Sequence, residues 1–131
     1  MIVLDASVLI AHLDAADAHH EQARALLEES GGEALAASAI TLAETFVSPA
    51  RAGRLEEAES AIRQLGVEEL VIGADAAGRL ATLRAGTKMK MPDCCVLLAV
   101  IDSEGTLASF DSSLLSAALE LGLKMMPTAP R

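Results

Sequence analysis

Four acidic residues of this chain stand where a strand is predicted to end or a helix to begin: Asp5, Glu44, Asp93 and Asp111. If the fold brings them into one cleft, at separations of about 5 to 6 Å and an effective dielectric near 20, each pair of carboxylates would repel by roughly 3 kcal/mol. Such a cluster does not stay fully ionised without protons or cations. Hard divalent ions such as Mg²⁺ or Mn²⁺ take carboxylate oxygens as ligands and would supply the missing charge. These residue types therefore indicate a divalent-metal site, provided that the fold gathers them.

The order of the predicted elements indicates that the fold gathers these four acids. Short apolar runs alternate with helical segments, a pattern that predicts one α/β domain over residues 1–131, with three α/β/α layers around a mostly parallel sheet. Asp5 and Asp111 each follow a predicted strand directly, and Glu44 and Asp93 lie in the first turns of predicted helices. Because sites in such sheets form outside the carboxyl ends of the strands, we expect the four acids to converge there.

Periodicity and turn residues set the predicted boundaries. Strands are predicted at residues 2–5, 34–37, 67–72, 106–110 and 123–126, and helices at residues 7–13, 17–30, 54–65, 75–85, 92–104 and 112–121. Asp17 is the expected N-cap of the helix at 17–30. A further helix opens at Ser38 or Thr41, runs through Val47 and ends near Pro49. The helix at 92–104 is apolar nearly all round, so we expect it to be sandwiched between layers.

Composition predicts a core without large aromatic residues. Hydrophobic residues make up 52% of the chain, which has two Phe and no Trp or Tyr, so Leu, Val and Ile should pack against Ala. The adjacent Cys94 and Cys95 do not fit a CxxC redox or zinc motif, and we expect both to be small buried residues. The first apolar run is interrupted by Asp5 and predicts neither a signal peptide nor a membrane span, which favours a cytoplasmic protein.

The charge balance narrows the contacts that this chain could make with a polyanion. Its net charge of −9 argues against broad electrostatic affinity for nucleic acid. One stretch, residues 76–92, contains no acid, and its cations are the weak candidates for phosphate contact: Arg79, Arg84, Lys88 and Lys90. A solvated helix face and loop would have the same composition, and the sequence leaves both interpretations open.

Each acid also has a purely structural explanation. Asp5 and Asp111 could be helix N-caps, and Asp93 could favour the helix dipole. Glu44, three residues after Thr41, could complete a capping box. His12, His19 and His20 are expected to be exposed helix residues rather than metal ligands. Four independent caps, however, would not need the particular sequence settings in which these acids occur.

Those settings are Val-Leu-Asp5-Ala-Ser7-Val-Leu-Ile, Thr-Leu-Ala-Glu44-Thr, Met-Pro-Asp93 and Ser109-Phe-Asp111. In this order and spacing they resemble the PIN-domain family, most closely its VapC-type toxin ribonucleases. The resemblance spans essentially the whole chain, and the segment 14–21 is similar to the family's usual opening. The chain departs from the family's pattern at Cys94. In the family a small residue such as Ala commonly follows the acid that Asp93 matches.

The resemblance implies a metal-dependent ribonuclease in which Asp5, Glu44, Asp93 and Asp111 hold Mg²⁺, with Mn²⁺ as an alternative. Ser7 and Ser109 match positions where a small polar side chain supports the site, although each hydroxyl could instead serve as a helix cap or a satisfied strand end. No His or Lys is placed as a separate general base. The sequence leaves open whether one ion or two would bind.

The resemblance also implies partners: an RNA substrate, a second copy in a homodimer, and an inhibitory antitoxin that covers the acidic site. Apolar helix faces at residues 17–30 and 54–65 are the candidate contact surfaces. Two other functions remain as alternatives. A PIN-like scaffold could bind RNA or protein without catalysis. A Mg²⁺-binding receiver domain is disfavoured, because it needs an acidic pair after the first strand and an Asp after the third, where Ile72 is followed by Gly73.

Overall fold

The centre of the fold is a sheet of five strands, all parallel to their neighbours, in the order β3-β2-β1-β4-β5. The computed structural model describes residues 1–127, so the last four residues of the predicted domain lie outside the described residues. In chain order the elements are β1 (Ile2–Leu4), α1 (Ala6–Leu13), α2 (His20–Glu29), β2 (Leu35–Ser38), α3 (Ala39–Arg51), α4 (Leu55–Gln64), β3 (Val67–Leu70), α5 (Ala76–Gly86), α6 (Met91–Ser103), β4 (Thr106–Ala108), α7 (Ser112–Glu120) and β5 (Lys124–Met126).

Two hydrophobic cores lie on opposite faces of the sheet. Successive side chains of β1 alternate between them, since Ile2 and Leu4 enter the first core and Val3 enters the second. The first core is closed by apolar side chains of α1, α2, α3 and α4, and the second by those of α6 and α7. The predicted three-layer α/β/α architecture with a parallel sheet is thereby confirmed.

The same packing corrects the predicted contact surfaces. The apolar faces of α2 and α4 are not exposed, because Leu26 and Ile62 are only 6% and 4% accessible and belong to the first core. One large apolar side chain of these helices reaches solvent, Leu55 at the start of α4; the other exposed ones lie elsewhere, among them Ile10, Val47 and Val71. The inner faces of both helices therefore belong to the chain's own core.

Two predicted helix boundaries are wrong, and both errors involve local chemistry. α3 continues through Pro49 to Arg51, because a proline in the last turn removes few of the helix's hydrogen bonds. α2 begins after His19 rather than at Asp17. The Asp17 carboxylate accepts the His19 N–H at 2.8 Å and so forms a turn before the helix. Cys94 and Cys95 are buried and unpaired, as predicted.

Because all five strands run parallel, their carboxyl ends lie at one edge of the sheet. β1 and β4 are neighbours there, with Leu4 paired in register with Ala108. Asp5 follows the first of these strands directly, and Ser109 follows the second. α3 and α6 are in contact with each other, which allows Glu44 in the second turn of α3 and Asp93 in the first turn of α6 to approach the same place. Within residues 1–127, no helix is long and apolar enough to cross a membrane.

Gly105 is the position at which this sheet tolerates no side chain. A Cβ there would lie 2.7 Å from the Met1 carbonyl oxygen, which itself accepts the Thr106 N–H at 3.0 Å. We expect Gly105→Ala to lower the free energy of unfolding by about 1 to 3 kcal/mol, since the overlap falls on backbone that cannot move independently. Urea unfolding is the measurement.

Gly78 provides the matched control for this substitution. It lies inside α5, and a Cβ there would meet nothing within 4 Å. Gly78→Ala should therefore stabilise the protein by about 0.5 to 1 kcal/mol, because alanine loses less backbone entropy in a helix. Equal stability of Gly105→Ala and the wild type would contradict the close approach of β4 to the chain start.

Candidate active site

Asp5 is the buried centre of the site. It is 6% exposed and forms the N-cap of α1, where it accepts the Val8 N–H at 3.3 Å. The Ser7 hydroxyl donates to its Oδ1 at 2.6 Å and the Ser109 hydroxyl donates to its Oδ2 at 2.7 Å. Both carboxylate oxygens are therefore fixed in direction by side chains from β1–α1 and β4–α7.

The two serine hydroxyls also bind the turn that carries Asp111. Ser7 Oγ accepts the Phe110 N–H at 3.0 Å, and Ser109 Oγ accepts the Asp111 N–H at 2.9 Å. Each hydroxyl is thus both donor to Asp5 and acceptor from this turn. Ser7 does not cap α1, because Asp5 has that position. The two serines connect the end of β1 to the end of β4 through the carboxylate.

Asp111 is exposed and forms the N-cap of α7. Its Oδ1 accepts the backbone N–H groups of Ser113 and Leu114 at 2.9 and 3.3 Å. The structural explanation of Asp5 and Asp111 as caps is therefore correct. A capping carboxylate can still take part in a site. The capping hydrogen bonds also hold each of these carboxylates at the carboxyl edge of the sheet.

Glu44 has no such structural explanation. The N-cap of α3 is Ser38, whose hydroxyl accepts the Ile40 N–H at 3.2 Å, so Thr41 and Glu44 do not form a capping box. The pKa of Glu44 is raised by partial burial, then by the charges of Asp93 and Asp5. This glutamate therefore faces two other acids of the site without a cap to account for its position.

Asp93 reaches the site from the first turn of α6, directly after Pro92. Its pKa is raised by burial and then by the charge of Asp111, while the nearby Lys90 ammonium lowers it. Burial also raises the pKa of Asp5, which the charge of Asp111 raises further, against the opposing hydrogen bonds from Ser7, Ser109 and the Val8 N–H.

These repulsions connect the four predicted acids into a ring: Asp5 with Asp111, Asp111 with Asp93, Asp93 with Glu44, and Glu44 with Asp5. In the part of the chain that the structure describes, no three His, Cys, Asp or Glu side chains are grouped so that they could hold a metal ion. The donors fit Mg²⁺ or Mn²⁺, because all are hard oxygens and Mg²⁺ requires few protein ligands.

The four basic candidates do not share one position. Arg79 forms an ion pair with Asp102 and lies 3.7 Å from Asp75, so its charge is balanced within the chain. Arg84 donates to the Met89 carbonyl oxygen at 2.6 Å. Lys90 lies near Asp93, and Lys88 lines a groove with Ser113 and Ser116 on the side of α7. Of these four cations, Lys90 is the one whose charge acts on a predicted site acid.

Sequence reasoning missed an aromatic contact at the rim of the site. The rings of His19 and Phe110 stack, with centroids 5.0 Å apart and planes at 15°. Phe110 lies between Ser109 and Asp111, so the stack joins the start of α2 to the acidic turn. His20 is not simply exposed either, since its Nδ1 lies 2.7 Å from the Ala11 carbonyl oxygen. The sequence did contain a sign of this contact. Aromatic residues are scarce in this chain, and one of the two phenylalanines, Phe110, lies between two predicted site residues.

The raised carboxyl pKa values predict how stability depends on pH in metal-free buffer. The ordinary pKa of Asp5 is 3.8, and the folded state raises it. Because the folded state then binds this proton more tightly than the unfolded chain, the free energy of unfolding falls as pH rises from about that value through the raised pKa, and stays reduced above it. Asp5→Asn should lose less stability over this window. The melting temperature measured against pH tests this, and parallel profiles for the two proteins would contradict it.

Comparison with known proteins supports the fold. The sequence pattern of the PIN domain family matches residues 2–122. Curated proteins gave no match. The fold is similar to VapC20 of Mycobacterium tuberculosis, described as a toxin that cleaves the sarcin-ricin loop, with a TM-score of 0.74 and 20% identity over 89% of this chain and 95% of that one.

Two further structures show the same likeness. FitAcB from Neisseria gonorrhoeae gives a TM-score of 0.73 with 22% identity, over 95% of this chain and 96% of that one. A toxin-antitoxin complex from Klebsiella pneumoniae gives 0.72 with 22% identity, over 88% and 91%. The family match covers nearly the whole described chain, and the five-stranded parallel sheet agrees with it. The chain therefore belongs to the PIN domain family, as its motifs predicted.

Proposed function

We propose that this PIN domain is a metal-dependent ribonuclease that hydrolyses RNA phosphodiester bonds with Mg²⁺, or with Mn²⁺ in its place. The observation that supports it most is the buried Asp5 carboxylate, which Ser7 and Ser109 hold while both hydroxyls also bind the turn that carries Asp111. Burial and mutual repulsion raise the pKa values of Asp5, Glu44 and Asp93 in the same acidic ring. A cluster of this kind gains most from a bound divalent cation. When bound, such an ion would offset the negative charge of the scissile phosphate and make an attacking water more acidic.

In this proposal Asp5, Glu44, Asp93 and Asp111 hold the ion. Asp5 is the rigid member, because Ser7 and Ser109 fix both of its oxygens. Glu44 and Asp93 come from two contacting helices and can adjust their side chains to the ion. Asp111 is exposed, as is Glu44. Asp111 lies where a substrate would enter from solvent.

The RNA would meet little positive charge on a protein of net charge −9. Lys88 and Lys90 are the proposed phosphate contacts, since both are exposed and lie on the side of the site formed by α6 and α7. Arg79 and Arg84 are weaker candidates, because their guanidinium groups are already bound to Asp102 and to the Met89 carbonyl.

We further propose that the protein is the toxin of a toxin-antitoxin pair and acts in the cytoplasm as a homodimer. Support comes from structural neighbours described as a toxin-antitoxin complex from Klebsiella pneumoniae and as VapBC2 from Rickettsia felis bound to a promoter DNA fragment. An antitoxin would present a basic group to the acidic ring. A monomer in light scattering at micromolar concentration would remove the dimer from this proposal.

The test of the catalytic proposal is cleavage of mixed RNA by the purified chain in Mg²⁺ or Mn²⁺, compared with the same reaction in EDTA. We expect cleavage with either ion, its loss in EDTA, and its return when excess Mg²⁺ is added back. Cleavage that continues in EDTA would reject the metal site.

One observation favours the catalytically silent alternative, a scaffold that binds RNA or protein. No three acids among residues 1–127 are yet arranged around an ion position. The two functions differ in the same experiment, because a silent scaffold would bind RNA in Mg²⁺ without shortening it. Binding without cleavage across messenger, transfer and ribosomal RNA would favour the scaffold.

A further inference from the structure

The stacked His19 and Phe110 rings form an aromatic surface beside the acidic ring. Phe110 packs against the first hydrophobic core, and His19 lies on its outer side with 53% of its side chain exposed. The order from inside to outside is core, Phe110, His19, solvent. Such an arrangement supports the inner ring rigidly and leaves imidazole surface free.

His19 is also held from its own segment. Its backbone N–H donates to Asp17 Oδ1 at 2.8 Å, and the same oxygen lies 3.9 Å from the imidazole Nδ1. Asp17 therefore fixes the start of α2 under the ring. A side chain that is oriented by a carboxylate and by a stacked phenyl ring loses little freedom when a further planar group stacks on it.

The position of the pair relates it to the chemistry. The Phe110 N–H donates to Ser7 Oγ, and Ser7 donates to Asp5. The phenyl ring therefore belongs to a residue that lies between Ser109 and Asp111 and is two hydrogen bonds away from the buried Asp5 carboxylate. A planar group resting on His19 would therefore stack above Phe110, whose backbone belongs to the turn that carries Asp111.

We propose that the His19–Phe110 pair is a subsite for an unpaired nucleobase adjacent to the scissile phosphate. This inference rests on the proposed ribonuclease function and deepens it, because it names the side chains that would hold one base of an unpaired strand. Proteins recognise single strands by stacking bases on aromatic or histidine rings. Stacking needs no positive charge, which suits a protein of net charge −9. The second phenylalanine, Phe46, packs against the first core.

The test uses a fluorescent single-stranded RNA of mixed sequence and an abasic ribose-phosphate oligomer of equal length. Ca²⁺ replaces Mg²⁺ so that binding is read without cleavage, and gels check that the RNA stays intact. His19→Ala should weaken binding of the RNA by about 5- to 100-fold, the range expected for one stacked base. Binding of the abasic oligomer should not change. His19→Tyr should restore most of the RNA affinity, because it keeps a planar ring.

Gln22→Ala is the matched control, since Gln22 is an exposed residue in the first turn of α2, the helix that follows His19. In Mg²⁺, His19→Ala should raise KM for single-stranded RNA and leave kcat unchanged. Equal RNA affinity of His19→Ala and the wild type would overturn the subsite, as would an equal loss for RNA and abasic oligomer, which indicates a distorted site.

These outcomes are separable from failure of the ribonuclease proposal. If the wild type cleaves RNA in Mg²⁺ and His19→Ala has the same KM, the stacking subsite alone is rejected. If the wild type neither binds nor cleaves RNA, both proposals are rejected together.

Discussion

Asp5→Asn is expected to lower kcat/KM for RNA cleavage by more than about 100-fold, because residues that only orient metal ligands already cost about 10- to 100-fold when changed. The amide has the size of the carboxylate, and its oxygen can still accept the Val8 N–H and the Ser7 hydroxyl. Its NH2 group, in the place of Oδ2, can donate to Ser109 Oγ instead of accepting from it. Its fold should therefore persist while the charge that attracts a cation is lost. The measurement is steady-state cleavage of a labelled RNA in Mg²⁺.

Glu33→Gln is the control for this variant. Glu33 is exposed and precedes β2, at the sheet edge opposite the acidic ring. It should cleave RNA as the wild type does. A fully active Asp5→Asn, with its fold verified by its melting temperature, would show that the buried carboxylate has no part in catalysis.

The Ser7→Ala, Ser109→Ala double variant is expected to lower activity by about 10- to 100-fold, as is typical when the partners that orient a metal ligand are removed. Each hydroxyl holds one oxygen of Asp5 and also accepts a backbone N–H of the turn at Phe110 and Asp111. Removal of both frees the carboxylate and leaves two N–H groups without these acceptors. The measurement is activity as a function of Mg²⁺ concentration.

A higher Mg²⁺ requirement would show that the serines act through the ligand. The matched control is Ser112→Ala, because Ser112 is an exposed serine at the first position of α7, directly after this turn. A double variant with the wild-type Mg²⁺ dependence would contradict a role of the serines in holding Asp5, and would leave them as turn residues only.

The sequence was sufficient for the parts of the candidate site that depend on chain direction. Asp5 follows β1 directly, and parallel pairing of β1 with β4 brings the carboxyl ends of these strands together. The predicted strand at 106–110 was too long, because β4 ends at Ala108 and two residues separate it from Asp111. Asp93 could be placed because Pro92 marks the first turn of its helix. Glu44 was harder, since a capping box explained it equally well until Ser38 proved to be the N-cap.

The parts that the sequence did not reveal are contacts between distant segments. The ion pair of Arg79 with Asp102 and the stacking of His19 on Phe110 join residues that no periodicity relates. The partner faces of α2 and α4 were misassigned for a related reason. An amphipathic pattern specifies that one helix face is covered, but whether the cover is the chain's own core or another protein depends on the tertiary packing.

Mn²⁺ binding to the wild type and to the amide variants of the four acids is the most direct test that these side chains share one ion. Titration followed by electron paramagnetic resonance would measure it, for Asp5→Asn, Glu44→Gln, Asp93→Asn and Asp111→Asn beside Glu33→Gln. We expect each of the first four to weaken binding by about tenfold or more, since removal even of an outer partner has an effect of that order. Glu33→Gln should bind as the wild type does. Wild-type protein that binds no Mn²⁺, or affinity unchanged in all four variants, would contradict a shared metal site.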